Sequence, residues 1–137
     1  MDYVLKTLNL SKQYKNKLVL DKVCMNIKRG DIYGFVGENG SGKTTVIRCV
    51  CGLARPSGGS IELFGTKDTD SKILSERKKM SAVVETPSIY LNMSASDNLK
   101  MQCDVLGLKN YDRIEEVLSE VGLAYLSKDH KKAGDFS

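Results

Sequence analysis

The sequence lacks the residue clusters that hold structural metals. Its four cysteines form no C-x-x-C pair, and no histidine stands at metal-ligand spacing from them. They are Cys24, Cys49, Cys51 and Cys103. We expect all four to be reduced residues of a cytosolic protein, because disulfides are rare in that compartment. The single histidine, His130, stands between an aspartate and a lysine, so we expect it at the protein surface.

Long apolar runs and concentrated charge are also missing. No apolar stretch is long enough to cross a bilayer, and the N-terminus does not read as a signal peptide. The 21 basic and 17 acidic residues give a net charge of +4 and are scattered along the chain. Nucleic-acid binding surfaces gather basic residues on one face, so we expect no nucleic-acid partner. At 137 residues, the chain is about one globular domain in size.

The most informative stretch that is present is the glycine-rich run GENGSGKTT at residues 37–45, hereafter the phosphate loop. It matches G-x-x-x-x-G-K-[ST], and we predict a buried strand before it over residues 31–36 and a helix over residues 43–53. Glycines let backbone amides turn toward a phosphate, and the helix adds free amides and a positive dipole end. Lys43 supplies charge for the outer phosphates, and Thr44 supplies a hydroxyl for Mg²⁺. The pattern predicts nucleoside triphosphate binding, and the absence of N-K-x-D argues against a GTPase.

Short strands are expected on both sides of the phosphate loop. Alternating or continuous apolar patterns predict strands over residues 3–10, 18–28, 60–64 and 81–84. A polar turn over residues 12–17 carries Tyr14, and a short helix is predicted over residues 71–79. The earliest strands therefore predict an antiparallel layer beside the nucleotide-binding core.

The chain changes character after Pro87, which we expect to interrupt regular structure. Ser94 is the predicted N-cap of a helix that ends at Gly107, and a second helix runs from about residue 110 to Gly122. The apolar stripes comprise Ala95, Leu99, Cys103 and Leu106 in the first helix and Ile114, Val117, Leu118 and Val121 in the second. Such stripes are typical of core packing between two helices.

Taken together, these segments resemble the ATP-binding subunit of ABC transporters along the whole chain. The resemblance rests on residues 31–45 and on the stretch from Gly-Leu to Pro-Ser-Gly-Gly-Ser-Ile at residues 52–61. Residues 85–90, Glu-Thr-Pro-Ser-Ile-Tyr, resemble the bacitracin and lantibiotic self-protection exporters. The resemblance implies an α/β, ABC-type P-loop NTPase core with an antiparallel β layer and the start of a helical subdomain, lacking the Walker B half. The expected division is a nucleotide-binding core at 1–86 and a partial helical subdomain at 87–137.

The resemblance also implies roles for individual residues. Tyr14 would stack on adenine as the family's A-loop aromatic, although a tyrosine in a surface turn is the alternative. Lys43 would contact the β- and γ-phosphates, Thr44 would ligate Mg²⁺, and Thr45 would bind the α-phosphate. Glu85 stands where most of the family has glutamine, and its carboxylate would be a second Mg²⁺ ligand. The expected ATP-binding residues are Tyr14, Gly37, Glu38, Asn39, Gly40, Ser41, Gly42, Lys43, Thr44, Thr45 and Glu85.

The implied function is that of an ATPase subunit at the cytoplasmic face of the membrane, where ATP drives export of a peptide or antibiotic. Its implied partners are a transmembrane permease subunit and a second copy of the ATPase subunit. In the family, residues 87–98 correspond to the permease contact, where Tyr90, Leu91 and Met93 either form an exposed patch or fold into the core. A soluble ATPase of the same family and a nucleotide-binding module without catalysis remain alternatives.

In the family, Ser137 opens the signature motif, and the Walker B strand, the catalytic glutamate and the switch histidine come later. His130 therefore inherits no role from the resemblance. We expect the present chain by itself to bind Mg-ATP weakly and not to hydrolyse it. We also expect the strand over residues 32–36 to have an unpaired edge, through which copies of the chain would associate.

Overall fold

The computed structural model describes residues 3–86 and 89–136. Two compact units make up the chain, Met1–Thr86 and Pro87–Ser137. The predictions made for Pro87 and Ser137 lie outside the described residues. Within the described ranges, no helix has the length and apolar character that a membrane span needs.

An antiparallel sheet of four strands dominates the first unit. Its strands, in the order β2-β1-β3-β4, are β1 (Tyr3–Tyr14), β2 (Lys17–Lys28), β3 (Gly58–Leu63) and β4 (Thr66–Lys67). The antiparallel layer predicted from the sequence is therefore present. The polar turn predicted over residues 12–17 is wrong in extent, because Tyr14 still pairs with Lys17. Only Lys15 and Asn16 connect the two strands, and Lys15 turns the chain with a φ of 51°.

Two short helices complete the first unit, α1 (Lys43–Val50) and α2 (Ile73–Arg77). The buried side chains that form its core are Leu10, Leu20, Met25, Val46, Cys49, Val50, Ile61, Leu63 and Ile73. Burial of one such aliphatic side chain contributes about 1.5–3 kcal/mol, so this cluster fixes α1 against the sheet. The helix predicted to reach Leu53 ends earlier because Gly52, at φ 79°, reverses the chain. The amide of Leu53 then donates to the Arg48 carbonyl at 2.8 Å.

The buried strand predicted over residues 31–36 is not formed. In the described part of the chain no strand lies alongside this segment to complete a hydrogen-bonded ladder. Its side chains nevertheless alternate, with Ile32 and Val36 fully exposed and Tyr33 and Phe35 lining an apolar cleft of about 240 Å³. The expected unpaired strand edge is therefore corrected to an exposed segment that pairs with no strand in the described part of the chain.

The strand predicted over residues 81–84 is also absent. Ser81 and Ala82 line the same apolar cleft as Phe35, but Val83 is exposed. An apolar run indicates that a segment tends to be buried. A strand also requires a neighbouring strand as its hydrogen-bond partner. Neither segment finds such a partner among the described residues.

The second unit is helical. It contains α3 (Ala95–Val105), α4 (Ile114–Glu120) and the 3₁₀ turns Ala124–Leu126 and Ala133–Asp135. The predicted cap is confirmed, because the Ser94 hydroxyl accepts from the Asp97 amide at 3.1 Å. The hydroxyl also donates to the Asp97 carboxylate at 2.8 Å, so one serine orders the first turn of α3.

Packing between α3 and α4 is looser than their apolar stripes predict. Leu118 is buried, whereas Leu106, Val117 and Val121 are exposed. A cleft of about 490 Å³ lies between the helices and is lined by residues such as Leu99 and Val117. The prediction of a closed core between the two helices is therefore only partly correct.

Candidate functional site

The phosphate loop is shaped by glycines that adopt left-handed backbone angles. Gly40 has a φ of 85° and Gly42 a φ of 95°, which residues with a Cβ rarely adopt. Gly42 is also buried against β2, where a Cβ would lie 2.7 Å from the Val19 carbonyl oxygen and 2.8 Å from the Leu20 side chain. The loop therefore rests directly on the β1–β2 hairpin at Gly42.

The amino end of α1 is left free for an anion. Gly42 is its N-cap, no side chain caps the helix, and the first turn contains no acidic residue. The first-turn amides, those of Lys43, Thr44 and Thr45, have no carbonyl within the helix to accept from them. Together with the helix dipole, they form a site suited to phosphate.

The Lys43 ammonium group folds back into the phosphate loop. Its Nζ donates to the carbonyl oxygens of Gly37 and Glu38, both at 2.6 Å, and lies 3.5 Å from the Ser41 hydroxyl. A bound triphosphate would have to draw the ammonium away from these carbonyls. The positive charge of Lys43 therefore already lies in the phosphate loop, where the motif requires it.

Glu85 is tied to α1 by an ion pair that the sequence did not predict. Its Oε1 accepts from Arg48 Nη2 at 2.9 Å. Thr44 and Arg48 are four positions apart on α1, so both side chains lie on one face of the helix. The arginine therefore links the Glu85 carboxylate to the helix that carries the Thr44 hydroxyl.

Both side chains carry oxygen atoms of the kind that Mg²⁺ prefers. Hydroxyl and carboxylate oxygens are hard ligands, and Mg²⁺ commonly takes one or two protein ligands while phosphates and waters supply the rest. No group of three or more His, Cys, Asp or Glu side chains able to hold a metal occurs in the described ranges. Thr44 and Glu85 therefore suit a cation that arrives with the nucleotide.

Tyr14 lies at the exposed end of β1 and has a cationic neighbour. Lys12 Nζ is 4.6 Å from the centroid of the Tyr14 ring and also donates to the Arg55 carbonyl at 2.7 Å. The ammonium therefore covers one ring face, and the opposite face is the one that a base could stack on. Lys12 was missed by sequence reasoning, although residues two apart on a strand share a face and their spacing could have indicated the contact.

Not all predicted site residues come together. The phosphate loop is continuous with α1, and Arg48 brings Glu85 to the same helix. No hydrogen bond or ring contact within residues 3–86 joins the Tyr14 side chain to the phosphate loop.

The chain near residue 90 presents apolar side chains on an ordered backbone. Ile89, Tyr90 and Leu91 are exposed, whereas Met93 is half-buried. The Asn98 side-chain carbonyl accepts from the Tyr90 amide at 2.7 Å, and its amide group donates to the Tyr90 carbonyl at 3.0 Å. Of the two alternatives from the sequence, the exposed patch describes Tyr90 and Leu91.

The remaining titratable candidates have no features of a reactive site. All four cysteines are free, and burial raises the pKa of the Cys49 and Cys51 thiols, opposed by Lys12 and Arg77 respectively. A raised pKa leaves a thiol protonated and weakly nucleophilic at neutral pH. His130 is exposed, as expected from its charged neighbours.

Known proteins resemble this chain in sequence and in fold. A family profile described as ABC transporter matches residues 20–137. The bacitracin transport ATP-binding protein BcrA of Bacillus licheniformis is 40% identical over 139 residues, covering 100% of this chain and 44% of that protein. The lantibiotic transport ATP-binding protein SrtF of Streptococcus pyogenes is 35% identical over 125 residues, covering 91% of this chain and 52% of that protein.

A solved structure extends the comparison to the fold. The cbiO1 protein of Clostridium perfringens, part of the ABC transporter complex cbiONQ, matches with a TM-score of 0.81 and 26% identity. That match covers 100% of this chain and 57% of the other. The chain therefore spans about half the length of the relatives it matches.

Proposed function

We propose that this chain, which belongs to the ABC transporter family, is the nucleotide-binding part of a subunit in which ATP binding and hydrolysis drive export. The observation that carries this proposal is the uncapped amino end of α1, preceded by a glycine-shaped loop and supplied with the Lys43 charge. The relatives named for bacitracin and lantibiotic transport support a peptide or antibiotic as the exported compound.

ATP would bind through the phosphate loop. The Lys43 ammonium would leave the Gly37 and Glu38 carbonyls for the outer phosphates, while the first-turn amides of α1 hold the phosphate oxygens. Thr44 and Glu85 would face the Mg²⁺ that accompanies ATP, which neutralises phosphate charge.

Adenine would stack on the face of Tyr14 that Lys12 leaves free. The ring is exposed, so a base can reach it without displacing core side chains. Stacking is tolerant of small shifts, which suits a residue at the end of a hairpin.

Binding by this chain would be weak, and turnover would be absent. Residues 31–41 are exposed, so water screens the charges that hold the phosphates. Glu85 is the one acidic side chain hydrogen-bonded to α1 in the described part of the chain. A carboxylate engaged with the metal does not serve as the general base that hydrolysis also requires.

The exposed patch formed by Ile89, Tyr90 and Leu91 would contact the permease subunit. Apolar side chains on a fixed backbone lose little conformational freedom when they are covered by a partner. In this arrangement the ATPase subunit lies at the cytoplasmic face of the membrane and acts as a pair of copies.

Titration of the purified chain with fluorescent ATP and MgCl₂ tests the proposal. Lys43→Ala should weaken binding at least about tenfold, because the charge that meets the outer phosphates is lost. Lys67→Ala removes an exposed lysine of β4 in the same unit and should leave the dissociation constant unchanged. Equal binding by the parent chain and Lys43→Ala would contradict a phosphate-loop site.

A further inference from the structure

The ion pair between Arg48 and Glu85 joins two exposed side chains that are 37 positions apart in the sequence. Arg48 is 43% exposed and Glu85 is 60% exposed, so the pair is screened by water and easily exchanged. A basic residue in the last turn of a helix interacts favourably with the helix dipole. That effect needs no acidic partner and therefore does not account for the contact with Glu85.

The backbone of Glu85 adds a second observation. Its φ is 65°, in the left-handed region that residues with a Cβ rarely adopt. Such angles are unfavourable and persist where the surroundings fix them, often at ligand-binding sites. Arg48, four positions after Thr44 on α1, pairs this strained residue with the helix face that carries the proposed metal-binding hydroxyl.

We propose that Arg48 is a positioning residue, a resident cation that neutralises Glu85 until Mg²⁺ arrives with the nucleotide and displaces it. The inference rests on the proposed function, since it requires Glu85 to face the metal of Mg-ATP. A carboxylate left bare beside the phosphate loop would repel the triphosphate. A divalent cation carries twice the charge of a guanidinium, so it competes well for a weakly held carboxylate oxygen.

The test compares how strongly Mg²⁺ enhances ATP binding, defined as the dissociation constant in EDTA divided by that in saturating MgCl₂. In Arg48→Met, the Glu85 carboxylate has lost its arginine partner. It therefore repels ATP in EDTA and is free to bind Mg²⁺ when the metal is present. Because exposed ion pairs are weak, we expect the enhancement to rise about two- to fivefold. The ratio cancels any uniform effect of losing one positive charge near the phosphates.

Four further variants isolate the contact. Arg113→Met removes an arginine that pairs with Glu116 at 3.0 Å in the second unit, and should leave the enhancement unchanged. Arg48→Lys keeps the charge and should stay near the parent value. Glu85→Gln should lower the enhancement, and adding Arg48→Met to it should change nothing more, because the competing carboxylate is already gone.

The outcomes separate this inference from the proposed function. An enhancement that is unchanged or lower in correctly folded Arg48→Met, with normal ATP binding, refutes the exchange of cations. An effect of Arg48→Met that survives in Glu85→Gln also refutes it, because Arg48 would then act on the phosphates directly. A parent chain that binds no nucleotide refutes the proposed function together with this inference.

Discussion

Substituting alanine for Gly42 should destabilise the first unit far more than the same change at Gly40. Both glycines belong to the phosphate loop and both have left-handed φ angles, of 95° and 85°. An added Cβ at Gly42 would meet the Val19 carbonyl oxygen at 2.7 Å, whereas at Gly40 it would meet nothing within 4 Å. The pair therefore separates the cost of the backbone angle from the cost of the contact with β2.

The magnitudes follow from these two terms. A left-handed angle costs an alanine about 1–2 kcal/mol, which is the whole effect expected for Gly40→Ala. Forcing an extra methyl group against packed backbone adds about 1–3 kcal/mol, so Gly42→Ala should lose about 2–5 kcal/mol. Any gain from stiffening the unfolded chain is common to both variants and cancels in their difference.

Urea unfolding followed by far-ultraviolet circular dichroism measures the difference directly. We expect the midpoint of Gly42→Ala to fall below that of Gly40→Ala, with the dependence on urea unchanged. Equal losses of unfolding free energy would refute the conclusion that the loop rests on the hairpin at Gly42.

Three other expectations concern the base, the helix cap and pH. Lys12→Met should weaken ATP binding about two- to fivefold in fluorescence titrations, because the Tyr14 ring loses the cation that fixes it, and an unchanged affinity would count against stacking. Ser94→Ala should cost about 1 kcal/mol of unfolding free energy by removing the N-cap of α3, and thermal melts that match the parent would contradict this. A hydrogen bond from Ser94, and to a smaller extent one from Lys100, holds the pKa of Asp97 below its ordinary value of 3.8. The stabilising effect of the Asp97 carboxylate is therefore complete above pH 3.8 and is lost as the pH falls through the lowered pKa. In carbon-detected NMR titrations, Ser94→Ala should raise that pKa toward 3.8.

Sequence reasoning succeeded where the deciding chemistry is local. The phosphate loop and the start of α1 follow from glycines and a lysine within nine positions, and the cap of α3 follows from a serine placed just before an apolar stripe. Lys12 and Tyr14 are two positions apart, so their contact was also within reach of local rules.

Sequence reasoning failed where the structure of a segment depends on a partner that is distant in the chain. Residues 31–36 have the composition of a buried strand, but a strand needs a neighbour whose position no local pattern specifies. The contact of Arg48 with Glu85 has the same character, because it depends on how the chain between them folds back. Both cases concern long-range pairing, which single-sequence patterns do not encode.

The exposed segment before the phosphate loop bears on the proposed nucleotide binding. Gly42 seats the far end of the loop on β2, whereas the near end continues into residues 31–36, whose outer face carries the fully exposed Ile32 and Val36. The near end is held by the Lys43 ammonium, which donates to the Gly37 and Glu38 carbonyls and would leave them for a triphosphate. A neighbour that covers those side chains and bonds to that backbone would keep the near end in place when the ammonium moves to the phosphates. By linkage, ATP would then favour the covered state to the same degree, so loop order and nucleotide affinity should rise together.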